Sequence, residues 1–388
     1  MRGNVTVAIV ADDLTGALDA AAPFAERGLA TRVALSPETL ETTLAAGRGL
    51  PEVISVNTAS RHMTAQDAAL RVAEVAGRLV ECQPRVLVKK VDSTLRGQVV
   101  AESLMLRQLS QRRLVLAPAV PRQGRQVRGA QVVVEGVPLA DTEYARDALS
   151  PPPCAPLDEV FASQGQTLGR YCPGKDGGLP EGEWVVDADS DDDMDRLARQ
   201  LLDSPAAWLP VGAAGLTQAL AQALVGAPGR VVLPSCPGVL LAVGSRSPRA
   251  QRQVARVMET WPDLTRVAIL EGGMNTTDAD SLLIVPGEPN QEPIDADIVA
   301  SLMTDGVAAC EAARPGRLLY LSGGDIALAV LVRLSGAFIE LMGEWRPGVP
   351  LGFVDGDHAR PVMTKAGGFG DETLLVELVG MFRSSSKG

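Results

Sequence analysis

The chain predicts an α/β fold of two domains, each a mostly parallel sheet flanked by helices. Two observations carry this. Short β-branched apolar runs alternate with stretches of helical spacing, and one Pro/Gly-rich stretch, from Gly226-Ala227-Pro228-Gly229 to Pro234-Ser235-Cys236-Pro237-Gly238, interrupts the alternation. The expected domains are residues 1–230 and 231–388. With 388 residues, 46% of them hydrophobic, the chain can bury a sizeable core in each.

Residues 5–10 read as the first strand, and Leu18, Ala21, Ala22 and Ala25 recur at helical intervals after it until Gly28. Strands follow at 53–56, 86–91 and 114–117, with helices at 65–79 and 99–109. Residues 130–182 are rich in Gly, Pro and acids and predict loops with a hairpin at 132–137. A strand at 184–187 resumes the pattern, and the acidic run 189–195 reads as a solvated helix start. Beyond the linker, strands at 239–245 and 319–322 precede helices at 249–258 and 326–334. A last helix spans 372–379, and the tail 384–388 is expected to fray.

Composition narrows the function. A net charge of −11 argues against nucleic-acid or anionic-membrane partners, so an anionic ligand requires a local basic pocket. No apolar run reaches bilayer length, and the N-terminus is too short and too β-branched for a secretory signal, so the expected location is cytoplasmic. Five scattered cysteines without Cys-x-x-Cys, and two histidines, make a zinc site or disulfide framework improbable.

Two clusters follow strands in the first half. Lys89-Lys90-Val91-Asp92-Ser93-Thr94-Leu95-Arg96-Gly97 places cations, a carboxylate and hydroxyls at a sheet's carboxyl edge, where open α/β folds bind small ligands. Its chemistry suits an anionic, hydroxylated molecule, with Lys and Arg on a carboxylate and Asp and Ser on hydroxyls. The plainer alternative is a helix cap at Asp92 or Ser93 with a solvated basic edge. Asp12-Asp13, before Thr15-Gly16, pairs two repelling acids at a strand's end, which favours a ligand or metal over capping alone.

The second half holds three glycine-rich turns between strand and helix: Gly244-Ser245-Arg246-Ser247, Ser322-Gly323-Gly324-Asp325 and Lys365-Ala366-Gly367-Gly368-Phe369-Gly370. Glycines let backbone amides approach phosphate oxygens, and a helix N-terminus adds positive potential. Together they point to a nucleotide, with Lys365 available to neutralise a phosphate. Gly169 to Asp176 imitates a phosphate loop, but Asp176 replaces the needed Ser or Thr, Pro173 removes an amide, and neither a leading strand nor a following helix is expected.

These blocks resemble, in order, those of the four-carbon acid sugar kinases: Ala11-Asp12-Asp13-Leu14-Thr15-Gly16, Lys90 to Gly97, Ala117-Pro118-Ala119-Val120-Pro121 with Gln123-Gly124-Arg125, Gly136-Val137-Pro138-Leu139, Gly244-Ser245, Ser322 to Asp325, Pro347-Gly348-Val349-Pro350 and Lys365 to Gly370. The resemblance implies an acid-sugar-binding first domain, a nucleotide-binding second domain and an active site in the cleft between them. It also implies ATP-dependent phosphorylation of the 4-hydroxyl of 3-oxo-tetronate, threonate or erythronate, with Mg2+. Nucleotide contacts carry over to Ser245, Ser322, Gly323, Gly324, Asp325 and Gly367, with Gly368 beside them. On the acid side Lys90, Arg96 and Arg125 are expected on the carboxylate or oxo group, and Asp12, Asp13, Thr15, Asp92 and Ser93 on hydroxyls. Asp12, Asp13, Asp92 and Asp325 remain equal candidates for the catalytic base or for orienting the attacking hydroxyl; the metal ligands and a homodimer are left open. Ala213, Ile326 and Ala366 stand where the family has hydroxyl residues, and the 269–318 region is short. A catalytically weak binding or regulatory protein is the alternative, separable by acid-stimulated ADP release. A dinucleotide-dependent dehydrogenase lacks the required Gly-x-Gly-x-x-Gly after the first strand.

Overall fold

The computed structural model describes residues 5–47, 49–147, 150–271, 279–287 and 295–385. The chain divides into two compact units, Met1–Gly229 and Arg230–Gly388.

The first unit contains strands β1 (Val7–Ala11), β2 (Thr31–Ala34), β3 (Val53–Asn57), β4 (Val86–Lys90), β5 (Arg113–Ala117), β6 (Arg125–Arg128), β7 (Gln131–Val134), β8 (Val137–Pro138), β9 (Gly169–Tyr171), β10 (Trp184–Val186) and β11 (Trp208–Gly212). Its helices are α1 (Leu14–Ala25), α2 (Leu40–Ala45), α3 (Ala65–Glu81), α4 (Val99–Ser110), α5 (Leu157–Ala162), α6 (Asp191–Asp203) and α7 (Ala214–Val225). The main sheet runs β2-β3-β1-β4-β11-β5-β10-β9, every neighbouring pair parallel. β1, β3 and β4 are buried along their whole lengths, which is why none shows an apolar/polar alternation and β1 reads as a continuous apolar run. α3 buries Ala68, Val72, Val75, Ala76 and Leu79 on one stripe and is capped by Thr64, whose side chain accepts from the Asp67 amide. The acidic run opens α6 as a Ser190/Asp193 capping box with Asp191, Asp192 and Asp193 in its first turn.

The chain leaves β1 for β2, returns through β3, then crosses β1 to reach β4. The winding therefore reverses between β1 and β4, and their carboxyl ends form the crevice where such sheets bind ligands.

The second unit contains β12 (Val239–Val243), β13 (Thr265–Ala268), β14 (Leu282–Val285), β15 (Leu318–Ser322), β16 (Phe338–Arg346), β17 (Val349–Val354) and β18 (Pro361–Lys365). Four helices accompany them: α8 (Pro248–Thr260), α9 (Ala296–Ala313), α10 (Gly324–Arg333) and α11 (Leu374–Ser385). β13-β14-β12-β15-β18 are parallel, and β17 and β16 add an antiparallel edge. Its core joins Val239, Leu241 and Val243 to Val257 of α8 and to Leu375 and Leu378 of α11. Here too the first four strands lie in the order second, third, first, fourth, so a second reversal falls between β12 and β15.

Two details differ from the sequence expectation. The hairpin at 132–137 is the β7–β8 corner, turned through Glu135 and Gly136 at φ 51° and 83°, but β6 extends it to a three-stranded antiparallel sheet. β6 shows no apolar alternation because Val127 is its one aliphatic residue. A strand does lead into the false phosphate loop: Gly169–Tyr171 is β9, at the sheet edge. The turn after it closes on itself, with the Cys172 amide donating to Asp176 Oδ2 at 2.7 Å. Of the expected frayed tail, 386–388 lie outside the described residues, as do parts of the short 269–318 region.

Candidate active site

Asp12 and Asp13 follow β1 directly. Arg61, in the loop after β3, binds both: Nε donates to Asp12 Oδ2 at 2.8 Å, Nη2 to Asp12 Oδ1 at 3.0 Å and Nη1 to Asp13 Oδ2 at 2.8 Å. Asp13 also caps α1, its Oδ1 accepting from the Gly16 amide at 2.8 Å. Capping and charge pairing therefore coexist in one side chain. Burial alone would raise the pKa of Asp12, but Arg61, helped by Lys89 and Lys90, brings it below the usual value. At Asp13 burial and the neighbouring Asp12 charge outweigh Arg61, and the pKa is raised.

The segment after β4 closes over this pair. Gly97 has φ +88°, and a Cβ there would lie 2.9 Å from Asp12 Oδ2, so only glycine lets the chain pass. Asp92 and Arg96 form a bidentate pair at 2.9 and 3.1 Å, and Thr94 Oγ1 also donates to Asp92. Against the raising effect of burial, Arg96 and Arg61 hold Asp92 far below the usual carboxylate range. Lys89 is paired with Glu102 at 2.7 Å, both side chains fully buried. Lys90 differs. Its residue is 4% exposed, its ammonium donates to the Val91 carbonyl at 3.0 Å, and it has no carboxylate partner among the described residues. The ammonium lies against α1, 3.3 Å from where a Cβ on Gly16 would sit. Thr15 and Ser93 hydroxyls make no hydrogen bond among the described residues.

Arg125 starts β6. Its Nη2 lies 3.4 Å from Tyr144 Oη, Nη1 donates to the Gln123 carbonyl, and its buried Nε has no partner among the described residues. The same 143–147 segment brings Asp147 within 3.8 Å of Arg96, linking Arg125 to the edge of the cluster. The structure thus gathers Asp12, Asp13, Lys90, Asp92 and Arg96 at the switch point, and engages Asp92 and Arg96 with each other.

In the second unit the three glycine turns meet at the ends of adjacent strands β12, β15 and β18. The Gly244 amide donates to the Ser322 carbonyl at 3.2 Å, and the Gly323 amide to the Lys365 carbonyl at 2.9 Å. Ser247 caps α8 and its Oγ donates to the Gly367 carbonyl at 2.7 Å. A Cβ on Gly367 would overlap Ser245 Oγ. Gly323 has φ +113°, and Gly324 opens α10 with Asp325 exposed in its first turn. Ser322 Oγ, fully buried, has no partner among the described residues. Lys365 turns inward: its ammonium donates to the carbonyls of Ala366, Gly367 and Phe369 at 3.0 to 3.1 Å. Burial, with Arg249 nearby, lowers its pKa to about 8. It braces the third turn from within. Gln253 supports the same turn, donating to the Phe369 and Asp371 carbonyls at 3.1 and 2.7 Å. These turns fit a phosphate chain: closely spaced amides, a helix N-terminus and an unsatisfied hydroxyl. Among the described residues no three His, Cys, Asp or Glu side chains are grouped to hold a metal ion.

Sequence reasoning missed Arg61 and Asp19. Arg61 carried the signal used elsewhere, a polar stretch (Thr58-Ala59-Ser60-Arg61-His62) directly after an apolar strand. Asp19 lies inside a helical pattern, where nothing in the spacing marks it.

A sugar-binding N-terminal domain model matches residues 7–220, and a nucleotide-binding C-terminal domain model matches 285–375. The chain is 34% identical to a D-threonate kinase of Bordetella bronchiseptica over 96% of both chains. It is 27% identical to a D-erythronate kinase of Heliobacterium modesticaldum over 93% of both. A Bordetella bronchiseptica protein solved as a domain-swapped dimer with bound citrate is 32% identical, with TM-score 0.53 over 98% of this chain and 99% of that one. A Haemophilus influenzae protein shares the fold, with TM-score 0.75 at 18% identity over 97% of this chain and 100% of that one. On these matches the chain belongs to the four-carbon acid sugar kinase family.

Proposed function

We propose that this protein transfers a phosphoryl group from ATP, with Mg2+, to the 4-hydroxyl of a four-carbon acid sugar such as D-threonate, D-erythronate or 3-oxo-tetronate. The observation that carries this is Lys90, a buried ammonium without a carboxylate partner among the described residues, set among Asp12, Asp13 and Asp92. A buried unpaired charge is costly, and the carboxylate of a small acid would relieve it. Thr15 and Ser93 offer free hydroxyls to the remaining polar groups of the acid. Arg61 and Arg96 then keep Asp12 and Asp92 ionised, and Arg61 also fixes Asp13. Arg125, with its unsatisfied Nε, is the second cation assigned to the acid.

ATP supplies the phosphoryl group. The turns at Ser245, Ser322-Gly323-Gly324 and Gly367-Gly368 would hold its phosphates through backbone amides, with Asp325 near the metal and Lys365 keeping the third turn in shape. Support comes from the kinase names of the relatives, from the nucleotide-binding domain model and from citrate, a carboxylic acid, in the Bordetella structure. A homodimer is proposed on the dimeric state of that same protein.

The test is incubation of the purified chain with Mg-ATP and each acid, read by mass spectrometry of the acid and by ADP release. A phosphorylated four-carbon acid is the expected product. No phosphorylation of any of them overturns the reading.

A further inference from the structure

Four carboxylates of the first unit surround the switch point, and three are already committed. Asp12 holds Arg61 through both oxygens, Asp13 holds Arg61 and the Gly16 amide, and Asp92 holds Arg96 and Thr94. At Asp12 and Asp92 the guanidinium stabilises the anion, which so accepts a proton poorly; Asp13, whose pKa is raised, is instead tied up by geometry, one oxygen on Arg61 and the other on the Gly16 amide. Asp19 is the exception. It is half-buried, and among the described residues it makes neither a hydrogen bond nor an ion pair.

Its place on α1 is set by the helix. Asp19 lies three residues beyond Gly16 and four beyond Thr15, on the face they share and one turn further along. Gly16 is the position against which the Lys90 ammonium rests. The charges acting on Asp19 are those of the cluster, namely Lys90, Asp13 and Asp92. β1, β3 and α7, which pack on α1, carry no charged side chain, and Arg32 of β2 is engaged with the Thr43 and Gly49 carbonyls. Burial, the largest influence on Asp19, raises its pKa; Lys90 opposes this, while Asp13 and Asp92 add to it. A free, partly desolvated carboxylate beside a substrate-binding cation is what a general base requires.

We propose that Asp19 accepts the proton of the substrate hydroxyl that attacks the phosphoryl group, an assignment that rests on the kinase reading above. The O–H bond breaks as its proton passes to an Asp19 oxygen. The hydroxyl oxygen forms the new O–P bond, and the bond to the nucleoside diphosphate breaks with its electron pair leaving on the diphosphate. Asp19 then releases the proton to solvent. Asp325, exposed on α10 of the second unit, is the rival.

The deciding experiment compares Asp19→Asn and Asp325→Asn in the full chain. Steady-state kinetics, calorimetric binding of the acid without nucleotide, and thermal unfolding are measured for each. Asp19→Asn is expected to lower kcat by at least about 100-fold. KM for acid and for ATP, and calorimetric affinity for the acid, should stay within about threefold. Asp19→Ser, smaller and uncharged, serves the same test should the amide disturb folding. Turnover retained within threefold in a folded Asp19 variant overturns the assignment. So does loss of acid binding in step with turnover, which would make Asp19 a binding residue. A 100-fold loss in Asp325→Asn alone hands the role to Asp325. If the wild-type chain phosphorylates no acid, the kinase reading fails and this assignment falls with it; wild-type turnover with an active Asp19 variant sinks the assignment alone.

Discussion

At the scale of single residues, the site depends on Arg61 reconciling two adjacent acids at the end of a strand. Its side chain is 13% exposed and that of Asp12 4%, so removing the guanidinium leaves a buried charge unpaired. Arg61→Met should therefore cost about 3 kcal/mol in urea unfolding and abolish acid binding. The pH dependence has a definite sign. Asp12 and Asp92 have pKa values below the ordinary one in the folded chain. The stability they contribute is present above about pH 4 and is lost as pH falls further, toward their folded values. Asp13 and Asp19, with raised values, act the other way and gain stability as pH falls toward about 4. Asp92→Asn should flatten the loss below pH 4 in thermal unfolding; an unchanged acid limb would show that Asp92 contributes none of it. Asp12 and Asp13 stood out as a pair of adjacent acids from charge repulsion alone. Their partner was not, because a contact between loops after β1 and β3 is fixed by strand order rather than by spacing in the chain.

At the scale of elements, the glycine turns were visible because strand, glycine and helix follow one another locally. What the turns do internally was hidden. Lys365 reads as a phosphate ligand, yet the residue is 1% exposed and its ammonium bonds three carbonyls of its own turn. Lys365→Met leaves those carbonyls unpaired, and should raise KM for ATP about tenfold while leaving KM for the acid unchanged. A folded-state pKa of about 8, below the ordinary lysine value, means the folded chain binds fewer protons than the unfolded one above pH 8. Stability should then rise modestly from pH 8 to about 10 in the wild type and not in Lys365→Met. Gly367→Ala forces a Cβ into Ser245 Oγ. It should weaken nucleotide binding in calorimetry without altering acid binding, and equal nucleotide affinity would remove this turn from the phosphate site. β6 and β9 escaped the sequence because four- and three-residue strands with few apolar side chains carry no period to detect.

At the scale of the whole chain, two units wind their first four strands in the same order, and each places its polar cluster or glycine turns at the reversal. The position of the polar cluster in one unit and of the glycine turns in the other follows from that winding, since helices departing on opposite sides of a reversal leave a crevice at the strand ends. Alternating apolar runs revealed the strands and their helices; the order in which strands lie side by side required the coordinates. Light scattering behind size-exclusion chromatography should return twice the chain mass of 40.6 kDa, and a mass of one chain would reject the homodimer.

The central claim is that a buried lysine with no carboxylate partner among the described residues marks the seat of a four-carbon acid. Isothermal titration of D-threonate, D-erythronate and 3-oxo-tetronate into wild-type protein and Lys90→Met tests it most directly. Saturable binding of at least one acid, lost by about 100-fold or more in Lys90→Met while calorimetric ATP binding persists, is the predicted result. Undiminished acid binding by a folded Lys90→Met protein would contradict it.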